Sequence, residues 1–147
     1  MLNTGTIGVA AAGDALLGAI TGVFFTDAST SKPTFANHLD ASNAATDIKG
    51  FVTDDPYERF EIQTNNSGAS ATTDIFNVAD IVYAAGSSPD YVSQVELNDS
   101  TLAAGSSATL QILGLSKDPD NSDVGSANVN WVVRINEHQL DMNVNGV

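Results

Sequence analysis

What most restricts the fold of this chain is a pattern of short apolar runs that alternate with polar residues and are cut by Gly, Asn, Asp and Pro at intervals of about a dozen residues. In residues 129–135, Trp131, Val133 and Ile135 hold one set of alternate positions, and Val132 and Arg134 hold the other. Side chains point to opposite faces of a strand in turn, so this run presents Trp131, Val133 and Ile135 to a core. Residues 58–64 alternate in the same way, with Phe60 and Ile62 opposed to Arg59, Glu61 and Gln63. Residues 48–53 precede them across an Asp54-Asp55-Pro56 turn, which predicts a hairpin-like pair. Residues 92–97 and 108–115 read as further strands, the second with Leu110, Ile112 and Gly114 on one side. Residues 74–85 predict a helical turn followed by a strand at 79–83, and Asp99-Ser100 a turn. Residues 26–47, 65–73 and 117–128 lack a sustained period and read as surface connections. The expectation is an all-β fold: a small barrel or sandwich of about six to seven short strands with long loops and at most one or two short helical turns.

The segment 7–25 is the most apolar in the chain and nearly long enough to span a bilayer as a helix. Asp14 interrupts it, Gly8, Gly13, Gly18 and Gly22 recur through it, and no Lys or Arg precedes it, so neither a membrane span nor a signal peptide fits. Residues 1–14 instead predict an extended N-terminal arm, and 15–25 a strand entering the core, with a short helix over 10–17 as the competing reading. The chain of 147 residues is the size of one domain. Its organisation reads as a single β domain: arm 1–14, β core 15–140 and tail 141–147.

Charge and cysteine content remove whole classes of function. Eighteen acidic residues against five basic ones leave a formal net charge of -13, which opposes binding to nucleic acid or to an anionic membrane. There is no cysteine, hence no disulfide, no thiolate metal site and no thiol nucleophile. No phosphate loop, dinucleotide fingerprint or Gly-x-Ser-x-Gly elbow occurs, and no cofactor is expected.

Several side chains still invite a chemical reading. Asp118, Asp120 and Asp123 begin like a calcium loop, but Asp123 stands where the turn glycine belongs and Val129 where the closing Glu belongs. A solvated acidic loop is the better reading, with a weak calcium site as the alternative. Asp54, Asp55, Glu58 and Glu61 cluster in sequence like a glycosidase pair, yet two are turn residues and two lie on the polar side of a strand. His38 and His138 each lack a second ligand at metal spacing and read as surface or partly buried residues. Tyr57, Tyr83 and Tyr91 with Trp131 would make a sugar-stacking platform only if Trp131 were outside the core, where its alternation places it.

Three segments together resemble a family of small tailed-bacteriophage head proteins treated as virion decoration or cement proteins. They are residues 18–27, Gly-Ala-Ile-Thr-Gly-Val-Phe-Phe-Thr-Asp; residues 47–56 with Phe60-Glu61-Ile62-Gln63, similar to the family's Asp-Asp-Pro turn and Phe-Glu-Val-Gln strand; and residues 131–140, similar to its ending in Arg-Ile-Asn-Glu-His-Gln. With Leu113-Gly114-Leu115 and the Asp120-Asn121 loop between them, they span residues 18–140. Where the family has an aromatic-Pro-Ala-Gly turn before the second segment, this chain has residues 37–46.

The resemblance implies a β-barrel-like subunit in many copies on the outer surface of an icosahedral head, with the major capsid protein as partner, self-association on the shell, and no catalysis. The net charge agrees with an outer position, since the interior is crowded with DNA phosphates. A protein that binds only the assembled lattice stabilises it by linkage. For the contact, the apolar N-terminal residues Leu2, Ile7, Val9, Leu16 and Leu17 are the candidates, either lying along the shell or completing the subunit's own fold. A carbohydrate- or receptor-binding β module on a virion or cell surface is the alternative function.

Overall fold

The computed structural model describes residues 5–40, 42–86, 89, 91–105, 107–121 and 123–141. Their strands are β1 (Ala19–Thr26), β2 (Pro33–Ala36), β3 (Lys49–Thr53), β4 (Phe60–Gln63), β5 (Val78–Ala79), β6 (Ile81–Val82), β7 (Glu96–Leu97), β8 (Leu110–Leu115) and β9 (Asn130–Ile135). The only helical elements among the described residues are three 3-10 turns, Thr72–Asp74, Asp99–Thr101 and Pro119–Asn121, so the chain is mainly β. No helix among them is long and apolar enough to cross a membrane. The strands pair antiparallel in three sheets, ordered β2-β1-β3, β4-β9-β8-β5 and β6-β7.

The core lies on the four-stranded sheet and the β6–β7 ribbon. Trp131 and Val133 of β9, Ile112 of β8 and Leu97 of β7 are all completely buried, and Leu110, Ile135, Val129, Ala79 and Ile81 surround them. The alternation of β9 is therefore realised as expected, with Val132 and Arg134 only half-buried on the other face. Arg134 Nε donates to Gln111 Oε1 at 2.8 Å across the β8–β9 pair. In β8 a bulge between Ile112 and Gly114 changes the face count. Gly114 then pairs with Val132, and Leu115 falls opposite Trp131 and packs on the core. The expected grouping of Gly114 with Leu110 and Ile112 is corrected by this one extra residue.

The sheets do not close into a barrel. The run 78–82 is split at Asp80, whose carbonyl accepts from Asn98 N–H and whose Oδ1 accepts from the Thr109 hydroxyl at 3.1 Å. Its first half pairs with β8 and its second with β7, so one extended run changes sheets at a corner. Strands of two residues give too short a ladder for closure, and an isolated Thr64–Leu97 bridge, with Asn65 N–H donating to the Leu97 carbonyl at 2.9 Å, carries the ribbon towards β4.

The first sheet holds the main departures from the sequence reading. Residues 26–47 contain β2, which forms a hairpin with β1; the turn is closed by Asp27 N–H donating to the Lys32 carbonyl at 2.9 Å. Pro33 is tolerated because β2 is an edge strand. The segments 48–53 and 58–64 do not form a hairpin with each other: β3 pairs with β1, whereas β4 pairs with β9. Gly18 explains how β1 comes so close to β3. Its φ is +152°, and a Cβ there would lie 1.9 Å from the Thr53 carbonyl oxygen.

The N-terminal segment joins the two sheets. A Cβ on Gly50 would lie 2.6 Å from Ile7 Cδ1, so Ile7 rests on β3, while Ala10 and Leu16 pack on the main core. Leu16 N–H donates to the Glu137 carbonyl at 2.8 Å, and Gln139 N–H donates to the Leu16 carbonyl at 2.9 Å. No helix forms over 10–17.

Two buried polar residues hold loops in place. Asp99 is 5% exposed, and its Oδ1 accepts from the Ser67 N–H and hydroxyl, each at 2.8 Å, and from Gly68 N–H at 2.6 Å. Asn121 donates through Nδ2 to the Ser116 and Asn130 carbonyls and accepts from Asn130 N–H, which pins loop 117–128 to the end of β9.

Trp131 gives a test of this core. Its indole Nε1 is buried without a hydrogen-bond partner. Trp131→Ala is expected to destabilise the protein by about 3–5 kcal/mol in urea unfolding. Trp131→Phe also removes an unsatisfied buried N–H, a group that itself costs about 1–3 kcal/mol, so it is expected to lose far less. Native fluorescence is expected to be blue-shifted.

Candidate functional site

The outer face of the β2-β1-β3 sheet carries the most distinctive surface of the described residues. Phe24 of β1 stands opposite Phe35 of β2 and Lys49 of β3, and Gly22 stands opposite Phe51 of β3. Paired residues share a face, so the three phenylalanines emerge together. The opposite face carries Val23 and Phe25, which are buried. This sheet therefore has one side that buries Val23 and Phe25 along β1, with Ile7 against Gly50 beside them, and an aromatic side open to solvent.

Gly22 shapes the aromatic side. With no side chain there, the rings from the two flanking strands meet across the central one. Phe35 and Phe51 are stacked with centroids 5.8 Å apart and planes at 21°, and Phe24 touches Phe35 at 4.8 Å with a tilt of 52°. Both geometries fall in the range favoured by aromatic pairs. Phe35 is 73% exposed and Phe51 45%. They border a shallow hollow of about 340 Å³ with Thr21, Gly22, Ala36 and Asn37. Its lining is aromatic and small, with Thr21 and Asn37 as the polar side chains.

Carboxylates held in fixed positions occupy the loops of this sheet. Asp27 accepts from Thr30 N–H at 2.7 Å, from the Thr30 hydroxyl at 2.9 Å and from Ser29 N–H at 2.9 Å, which together hold its carboxyl below the ordinary 3.8. Asp40 is lowered chiefly by the Ser42 hydroxyl at 2.6 Å and N–H at 2.7 Å, with help from the Tyr91 hydroxyl and the charge of His38. Asp47 is lowered by Thr26 N–H at 3.0 Å and the Thr26 hydroxyl at 2.7 Å, and less by Lys49. Asp27 and Asp40 both line a second, polar hollow of about 310 Å³ with Ser29, Ser42 and Asn43.

The residues singled out in the sequence fall elsewhere. Leu2 lies outside the described residues. Val9 is 69% exposed and Ile7 40%, while Leu16 is half-buried on the core and Leu17 is half-buried. Asp118, Asp120 and Asp123 are exposed, and Asp118 and Asp123 accept from the N–H groups of Asp120 and Gly125 as turn residues do. No group of three or more His, Asp or Glu side chains that could hold a metal occurs among the described residues. Asp54, Asp55, Glu58 and Glu61 are all exposed, and Asp55 Oδ1 accepts from Tyr57 N–H in the turn.

The histidines divide. His38 stacks on Tyr91 with centroids 3.9 Å apart, near the surface. His138 is only 1% exposed, which corrects the expectation of a surface or partly buried ring. Its Nδ1 accepts from Leu140 N–H at 3.0 Å, and its Nε2 is buried without a partner. Its backbone is held by a parallel bridge to Leu16, which ties the N-terminal segment to the residues that follow β9. Trp131 lies in the core, and Tyr57, Tyr83 and Tyr91 make no ring contact with it or with one another among the described residues.

A comparison with protein-family models, with curated proteins and with solved structures returned no match.

The lowered carboxyls set a pH dependence. A depressed folded-state pKa contributes stability above the unfolded value of 3.8, and this is lost as pH falls through the folded value. Carboxyl NMR titrations of Asp27, Asp40 and Asp47 are expected to give midpoints below 3.8. Thr30→Ala is expected to move the Asp27 midpoint up towards that value and to leave Asp47 in place.

Proposed function

We propose that this chain is a structural virion protein, a head decoration or cement protein that binds the outer surface of an icosahedral capsid and bridges neighbouring major capsid proteins. The observation that carries the reading is an all-β subunit whose most prominent solvent-facing feature is the Phe24, Phe35 and Phe51 platform on an antiparallel sheet. Large exposed apolar patches mark interaction surfaces, and an adhesive surface is what a cement subunit needs. The likeness of residues 18–27, 47–56 with 60–63, and 131–140 to phage head proteins supports the same reading.

The charge supports the outer face of the head. At -13 the subunit is repelled by packaged DNA and gains nothing from an anionic membrane. A subunit that touches two shell proteins raises the effective concentration for its second contact, so modest single contacts suffice to brace a lattice. Several copies on one shell can also touch each other. The reading requires no cofactor, nucleic acid or membrane, and no catalytic step.

Purified shells of the major capsid protein from the genome that encodes this chain provide the test. The protein is expected to sediment with them to a saturable ratio and to raise their disassembly temperature. Protein left in the supernatant at micromolar concentration, together with glycan-array binding lost on Tyr57→Ala, would replace this reading with a carbohydrate-binding module.

A further inference from the structure

Resting on that reading, we propose that the aromatic face of the β2-β1-β3 sheet is the shell-contact surface, and that its occupant is an apolar patch rimmed by Lys and Arg on the capsid protein. The apolar half of the argument is the platform itself. Phe35 is nearly three-quarters exposed beside Phe51, and both flank β1, whose other face buries Val23 and Phe25, so the rings are presented by a sheet anchored through its central strand. Removing such rings from water is the kind of contact that anchors interfaces.

Charge complementarity identifies the partner. Asp27 follows the end of β1, Asp47 precedes β3 and hydrogen-bonds to Thr26, and Asp40 lies in the β2–β3 connection. Asp54 and Asp55 follow directly after β3 and are exposed. Five carboxylates thus belong to the ends and loops of one small sheet, against Lys32 and Lys49. Asp27, Asp40 and Asp47 are fixed by hydroxyl and amide donors, so they need little ordering on binding. A second copy of this chain would bring the same acidic rim against itself, and a chain of -13 would oppose that approach. Nucleic acid is opposed by the same charge. A basic-rimmed apolar protein surface satisfies both halves of the face.

Binding of the intact protein to those shells, measured by sedimentation at 50 mM and 500 mM NaCl, tests the proposal. Phe35→Ser and Phe35→Ser/Phe51→Ser are expected to weaken binding by about tenfold or more, while Phe76→Ser, an exposed aromatic on a different sheet's approach, leaves it unchanged. Asp54→Asn/Asp55→Asn is expected to weaken binding severalfold at low salt and to flatten its salt dependence. Circular dichroism melting establishes that each variant is folded, and the single Phe35→Ser change serves if the double variant is not. Wild-type binding that Phe35→Ser leaves intact would overturn this inference and keep the cement reading. Absence of wild-type binding would overturn both. Dimerisation of the free protein in sedimentation velocity, abolished by Phe35→Ser, would assign the face to a second copy and overturn the partner proposed here.

Discussion

The pairing of β8 with β9 is the interaction on which the rest of the structure depends. It places Ile112 opposite Val133 and Leu115 opposite Trp131, so the two longest apolar strands of the main sheet supply most of the side chains that exclude water. β4 and β5 add to its two edges, and the β6–β7 ribbon contributes Ile81 and Leu97. The outer strands are short and would be marginal without this pair. The bulge in β8 keeps the arrangement workable, because it returns Leu115 to the core after Gly114 has turned outwards.

The smaller sheet is attached to that core by chain continuity and by the N-terminal segment. Ile7 sits against Gly50, Ala10 and Leu16 sit against the core, and Leu16 exchanges hydrogen bonds with the residues after β9. An apolar segment rich in small residues suits this position, since it must pass close to two backbones. One face of the β2-β1-β3 sheet buries Val23 and Phe25 along its centre, and the other is left aromatic and wet.

That asymmetry separates two uses of hydrophobic side chains in one molecule. Trp131, Val133 and Ile112 stabilise the fold because they leave water when it forms. Phe35 and Phe51 gain only part of that benefit from each other, since Phe35 stays 73% exposed and Phe51 45%. The polar groups follow the same division: Asp99 and Asn121 are spent on holding loops, whereas Asp27, Asp40 and Asp47 are ordered at the surface.

Local pattern alone determined that the chain is built of strands, that β9 buries Trp131, and that β4 turns Phe60 and Ile62 towards the core, because a period of two is written into consecutive residues. It also determined the Asp54-Asp55-Pro56 turn and the acidic charge. The candidate site was not legible, since Phe24, Phe35 and Phe51 are scattered over residues 24–51 and become neighbours only through the register of β1 with β2 and β3. β2 itself is four residues with Pro at its start, too short to show a period, and it is a strand because β1 offers it a ladder. Strand partners are likewise a tertiary matter: β3 lies next to the turn leading to β4 and yet pairs with β1, where Gly18 permits close approach. The residues after β9, where His138 is buried, pair with Leu16, more than a hundred residues away. Local sequence specifies which way a side chain alternates; only the folded chain specifies what it faces, because non-local pairing and burial involve residues that no short window contains.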